Sequence, residues 1–148
     1  MECVRGTPED VGGWMQLVRA VRDNFPGLET EAGLEEYRQT VLRFMEKRQA
    51  LCVKAGDTLA GVMLFSCKRN MICCLAVAPQ YRRRGVASML LRAAMAELDR
   101  TRKITVSTFR EEDEKGTEPR ALYRKFGFVP AELTVEFGYP NQVFVWKP

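Results

Sequence analysis

"MICCLAVAPQYRRRGVASMLL", residues 71–91, decides the fold. Met71 to Val77 form a continuous apolar run bounded by Asn70 and Pro79, which suits a central strand covered on both faces. Pro79 and three consecutive arginines, Arg82 to Arg84, then make a tight turn. From Gly85 to Arg100 the apolar residues wrap most of a helix, and Ser88, Arg92 and Asp99 mark its wet stripe, so this helix lies against a sheet. The first amides of such a helix have no intrahelical partner, and its dipole makes that end partly positive. An anion placed there accepts several backbone hydrogen bonds at once. Gly85 lets oxygens approach the backbone closely, Ala87 leaves the second approach unobstructed, and the arginines add charge-assisted contacts. The stretch asks for a phosphate.

Outward from this unit the chain alternates in texture. "TPEDVGGWMQLVRAVRDNF" (7–25) opens with a Thr-Pro-Glu-Asp helix start and carries Trp14, Leu17, Val18 and Val21 at helical spacing, although Gly12-Gly13 weakens the first turn. Residues 30–49 repeat the pattern with Leu34, Tyr37, Val41, Leu42 and Met45. Residues 50–67 hold two β-prone runs around Gly56-Asp57, a hairpin signal. "KITVSTF" (103–109) reads as a further strand. In "TEPRALYRKFGF" (117–128) Thr117 is the expected N-cap, Pro119 lies in the first turn, and Gly127 falls just past the helix end with Phe128 behind it. Two final strands are expected around 132–137 and 142–147. The order gives one α+β domain over residues 1–148, with a mixed sheet of six to seven strands and helices on both faces, a three-layer α/β/α arrangement.

Composition narrows the chemistry. The chain has no histidine, which excludes Ser-His-Asp triads, Cys-His pairs and histidine-ligated metals. Its five cysteines, Cys3, Cys52, Cys67, Cys73 and Cys74, form no C-x-x-C pair, so neither a zinc ribbon nor a disulfide framework is indicated and no metal is expected. Cys73 and Cys74 are read as small buried hydrophobes on opposite faces of a strand. The net charge of +4 is too modest to imply nucleic acid, and the arginine run has no interleaved aromatics. No apolar run approaches the ~20 residues of a membrane span, and no secretory leader is evident, so a cytoplasmic protein is the expectation. Five acids, Glu111, Glu112, Asp113, Glu114 and Glu118, face one lysine, Lys115, in a second, acidic surface. No Gly-Lys-Ser/Thr follows the turn, which excludes a P-loop, and the three-glycine dinucleotide fingerprint is missing.

Arg82-Arg83-Arg84-Gly85-Val86-Ala87 matches Gln/Arg-x-x-Gly-x-Gly/Ala, and its setting resembles the pyrophosphate-binding strand, turn and helix of the GNAT N-acetyltransferase superfamily. About forty residues on, "ALYRKFGF" resembles that family's tyrosine-bearing helix and Gly-Phe ending. The likeness is strongest over residues 71–128. It implies the GNAT fold and a role as an N-acetyltransferase, with acetyl-CoA as co-substrate and an amine as acceptor. The implied cofactor contacts are the amides of Arg83, Arg84, Gly85, Val86, Ala87 and Ser88, with the side chains of Arg82 and Arg84 flanking. The pantetheine arm is expected beside Leu75, Ala76 and Val77, where the family's strands diverge.

The resemblance also casts Tyr123 as general acid to the departing thiolate, and backbone N–H groups near Leu75 and Val77 as candidates for the oxyanion. Many relatives carry a glutamate on the central strand, whereas Met71-Ile72-Cys73-Cys74 holds no carboxylate. Ordered water, Glu111, Glu112 or Asp113 are then the alternatives for the base. The acidic rim favours polyamine-like, aminoglycoside-like or lysine-type acceptors. The missing strand carboxylate keeps a second reading open, a non-catalytic acyl-CoA-binding module of the same fold. Paired sheets are common among relatives, which leaves a homodimer open.

Overall fold

The computed structural model describes all residues, 1–148. Strands are β1 (Glu2–Arg5), β2 (Ala50–Ala55), β3 (Thr58–Ser66), β4 (Met71–Val77), β5 (Ile104–Phe109), β6 (Val129–Glu136) and β7 (Tyr139–Trp146). Helices are α1 (Val11–Ala20), α2 (Glu31–Glu46), α3 (Val86–Glu97) and α4 (Thr117–Lys125). The sheet runs β1-β2-β3-β4-β5-β7-β6 and is antiparallel except between β4 and β5. The expected mixed sheet is therefore present with seven strands. β1, too short to carry a pattern, adds one strand that the periodicity did not indicate.

Helix starts follow local chemistry. Thr7 and Asp10 form a reciprocal capping box, the Thr7 amide donating to Asp10 Oδ2 at 2.9 Å, and the following turn leads into α1. At α2 the Thr30 hydroxyl accepts the Gly33 amide at 3.0 Å. Thr117 is not a cap: Gly116 occupies that position, and Thr117 is the first residue of α4. The turn before it already satisfies the chain, because Asp113 accepts the Lys115 amide at 3.0 Å.

Two cores lie on opposite faces of the sheet. One gathers Trp14, Leu17, Val18, Leu34 and Val41 of α1 and α2 over Ala50, Cys52, Val62 and Leu64. The other packs Leu90, Leu91 and Ala94 of α3, together with Tyr123 and Phe128, over Leu51, Val53, Met63, Phe65 and Ile104. Each fully buried large side chain contributes roughly 1.5–3 kcal/mol of transfer free energy. α3 sits close to the sheet because β3 presents Gly61 beneath it: a Cβ there would stand 2.5 Å from Val86 Cγ1 and 3.0 Å from Leu90 Cδ1.

β4 departs from the expectation of a strand covered on both faces. The register with β3 passes from Leu64–Cys74 to Phe65–Ile72, so Cys73 is an extra residue, a β-bulge. Alternation is reset there: Ile72 enters the α3 core while Ala76, an even number of residues away, enters the α1–α2 core. Only Ile72 and Ala76 of this strand are buried. Cys73 is exposed and Cys74 half-buried, not buried hydrophobes as the apolar run suggested. The physical reason is that β4 loses its neighbour. Pairing with β5 holds only at Met71–Thr105 and Ile72–Val106. Beyond that point the two strands separate.

Candidate active site

The separation of β4 and β5 opens a cleft of about 710 Å³. Its donor end is built of main chain. Ala78 N–H donates to Ala60 O across the β3 side at 2.8 Å. By alternation Ala76 and Cys74 turn the same way, and Leu75 and Val77 turn their amides toward the gap. No strand partner meets them there.

At the far side of the turn, Gly85 adopts the left-handed conformation (φ +78°) and precedes α3. A Cβ at Gly85 would meet no protein atom within 4 Å, so its hydrogen leaves open space in front of the helix. The first helical bond is Met89 N–H to Gly85 O, and the amides from Arg83 to Ser88 make no backbone hydrogen bond. Arg83 is itself left-handed (φ 62°), a conformation that costs a non-glycine residue about 1 kcal/mol and bends the turn around those donors. Six successive free amides beside three exposed arginines make a nest that suits a diphosphate.

The residues read from the sequence fall unevenly on this cleft. Leu75, Ala76, Val77, Arg82, Arg83, Gly85, Val86, Ala87 and Ser88 all line it. Arg84 does not; its guanidinium lies 5.6 Å over the Tyr81 ring. Tyr123 lines the cleft from α4, only 4% exposed, between the rings of Phe128 and Phe144 at 5.8 and 6.1 Å. Burial raises its phenol well above the ordinary range, and the Cys74 sulfur adds to the shift. Cys74 is likewise pushed up to about 11 by burial, against the opposing effect of the Tyr37 hydroxyl 3.1 Å away. Tyr37 in turn accepts the Trp14 indole N–H at 3.1 Å, a chain that ties α1 and α2 to the cleft wall.

Among the acids offered as a base, Glu111 and Glu112 do not line the cleft. Asp113 does not either, and serves as an anchor: its Oδ2 accepts the Tyr139 hydroxyl at 2.6 Å, which holds its carboxyl below the usual range, with a smaller contribution from Lys115. Glu118 reaches the opposite side, 3.8 Å from Arg83, in a solvent-exposed pair of little energetic weight.

The acceptor end was not visible in the sequence. Asn24, Phe25 and Pro26 between α1 and α2, Ser107 to Phe109 of β5, and Glu136, Phe137 and Asn141 of the β6–β7 hairpin close the cleft there. Phe137, at the hairpin tip, packs on the loop below α1, close enough that a Cβ on Gly27 would stand 3.0 Å from its ring. Lys115 Nζ donates to Asp23 O at 2.8 Å, a second tie between the same segments.

An anion nest at a helix start, a strand edge with free amides and a buried phenol meet at one gap between parallel strands. Residues 46–130, more than half of the chain, match the family model described as an acetyltransferase (GNAT) domain, and the chain belongs to that family. No curated protein matches it in sequence. Solved structures share its fold. A GNAT-family acetyltransferase from Bacillus cereus ATCC 10987 is 20% identical with a TM-score of 0.75, covering 99% of this chain and 96% of that one. An N-acetyltransferase from Staphylococcus aureus Mu50 is 16% identical with a TM-score of 0.77, covering 98% and 100%. The PaiA N-acetyltransferase from Thermoplasma acidophilum, solved in complex with coenzyme A, is 17% identical with a TM-score of 0.70, covering 99% and 98%. No helix of the chain is long and apolar enough to cross a membrane.

Proposed function

We propose that the protein is an N-acetyltransferase that moves the acetyl group of acetyl-CoA directly to a primary amine of a small cationic acceptor. The observation that carries this reading is the parting of β4 and β5 after Ile72–Val106, with free amides at both ends of the exposed β4 segment. The nest from Arg83 to Ser88 receives the pyrophosphate, and the free edge at Leu75 and Val77 receives the pantetheine amides as a strand would. The thioester is thereby aimed at the gap.

The acceptor nitrogen attacks the thioester carbonyl as a neutral amine. The new C–N bond forms, and an amide facing the gap steadies the oxyanion. As the C–S bond breaks, the electron pair leaves on sulfur and the Tyr123 hydroxyl supplies its proton. The nitrogen loses a proton to solvent or to a carboxylate that lines the cleft, and the Tyr123 phenolate regains its proton from solvent. Burial makes this phenol a weaker acid than a free tyrosine, and the same enclosure disfavours a departing thiolate, which favours passing the proton to sulfur.

Calorimetric titration with acetyl-CoA, followed by detection of free thiol across a panel of amines, tests the proposal. Saturable binding with amine-dependent thiol release is expected. Binding without release from any amine leaves the acyl-CoA-binding module, the reading favoured by the absence of a carboxylate from β4. No binding overturns both.

A further inference from the structure

The acceptor end of the cleft carries a polar side chain with nothing to bond. Asn141 is 8% exposed and lines the cleft, yet its Oδ1 is enclosed without a hydrogen-bond partner. More than nine in ten buried polar groups are paired, so an unmade acceptor of this kind calls for a reason. Its facing residue on β6, Thr134, is in the same condition at Oγ1. Register explains the grouping: Thr134 opposes Asn141 and Glu136 opposes Tyr139, so all four side chains share one face of the hairpin, from which Glu136 and Asn141 line the cleft. Leu133 and Val135 point the other way, into solvent.

One carboxylate of this face is unpaired. Glu136 lines the cleft and has neither an ion-pair partner nor a side-chain hydrogen bond. Two cations near the hairpin, Arg110 and the cleft-lining Lys115, spend their hydrogen bonds on main chain instead. Arg110 donates to the carbonyls of Asn141 and Thr134 at 3.1 and 3.0 Å. Lys115 donates to the Asp23 carbonyl and stands 5.7 Å from the Tyr139 ring. Phe109, the β5 neighbour of Asn141, meets Tyr139 edge-on at 5.7 Å and gives the subsite an aromatic floor. A free carboxylate, a carboxamide able to present either its oxygen or its nitrogen by a half-turn, and aromatic faces together suit an alkylammonium group.

We propose that Glu136 and Asn141 form an acceptor subsite that selects a primary amine bearing a second ammonium group on the same short chain. The reacting nitrogen must be neutral to attack, so a carboxylate in the acceptor end gains nothing from it and binds a different, permanently protonated nitrogen. Asn141, its oxygen turned into the cleft, accepts one hydrogen bond from that ammonium group. The inference rests on the N-acetyltransferase reading and narrows its acceptor to diamine-type compounds.

The test compares 1,4-diaminobutane with 1-aminobutane as acceptors for the wild type, Glu136→Gln and Asn141→Leu, with direct calorimetric titration of 1,4-diaminobutane onto each protein. The wild type is expected to show a KM for the diamine at least ~10-fold below that of the monoamine, about 1.4 kcal/mol of selectivity. Each variant should erase most of that difference by raising the diamine KM more than the monoamine KM, with the acetyl-CoA affinity retained. A wild type that treats the two amines alike, or variants that raise both KM values equally, overturns the subsite. Absence of any thiol release overturns instead the N-acetyltransferase reading, and the diamine titration still decides whether the subsite binds. Should Asn141→Leu fail to fold, Glu136→Gln, at the exposed hairpin end, carries the same comparison alone.

Discussion

The two ends of the cleft are made of different material. The donor end is main chain: six free amides before and within the first turn of α3, and the unpaired edge of β4. It comes from one contiguous stretch, residues 75–88. The acceptor end is side chain: Phe25, Phe109 and the hairpin residues Glu136 and Asn141 come from three segments that meet only in the folded protein. Backbone recognition requires a conformation, and conformation leaves a local mark such as Gly85 with its positive φ. Side-chain recognition requires only that the right atoms converge, and convergence leaves none. The donor end should therefore fail through single backbone-altering changes, whereas the acceptor end should fail selectively, one substrate class at a time.

The sharpest way to break the contrast is Gly85→Glu. The new side chain would project into the open space before α3, add a negative charge at the proposed diphosphate site, and force a non-glycine residue into φ +78°. Like-charge contact costs several kcal/mol, so acetyl-CoA affinity is expected to fall by at least ~100-fold by calorimetry. The strain adds about 1–2 kcal/mol to the loss in stability. Retained affinity would show that side chains, not the turn, hold the cofactor.

Tyr123→Phe comes next and separates position from chemistry. The ring keeps its neighbours Phe128 and Phe144, so thermal stability should barely change, while turnover falls by ~10²–10⁴-fold with acetyl-CoA affinity intact. An unchanged turnover number in a thiol-release assay would remove the phenol from proton transfer.

The same contrast explains what could be read from the chain. Strand 71–77, the turn and the two flanking helices were legible because apolar runs, Gly85 and Gly127 act within a few residues of themselves. The bulge at Cys73 was not, because one extra residue in a uniformly apolar run changes no pattern, although it exposes one thiol and turns the other toward Tyr37. Arg84 was assigned to the anion by its place in the run, which carries no sign that its guanidinium lies 5.6 Å over the Tyr81 ring. Asp113 looked like any acid of its loop until the fold brought Tyr139 to it from 26 positions away. Asn141 carried no signal at all, since an unpaired buried amide is defined only by what surrounds it.

Gly61→Ala tests how far the donor end depends on packing beneath it. A Cβ there would press on Val86 Cγ1 at 2.5 Å, and a valine methyl cannot swing away as a flexible chain end would. Overpacking of this kind costs about 1–3 kcal/mol, read as a lower midpoint of denaturant unfolding. Because Val86 is the first residue of α3, acetyl-CoA affinity should weaken as well. A stability loss with unchanged affinity would mean that the nest is rigid independently of the sheet.

Tyr139→Phe should produce the smallest effect, and its pH dependence identifies the cause. Tyr139 donates to Asp113 Oδ2, and this contact holds the Asp113 carboxyl below its ordinary range and the Tyr139 phenol above its own. A lowered carboxyl contributes stability above its unfolded pKa near 3.8 and loses it as pH falls through the folded value. A raised phenol contributes below its unfolded pKa near 10 and loses it as pH rises through the folded value. The melting-temperature difference between wild type and Tyr139→Phe should therefore be widest between about pH 5 and pH 9 and narrow at both extremes. No difference at any pH would show that the hydroxyl contributes nothing, and the acceptor end would then be held by the ring packing against Phe109 that the substitution keeps.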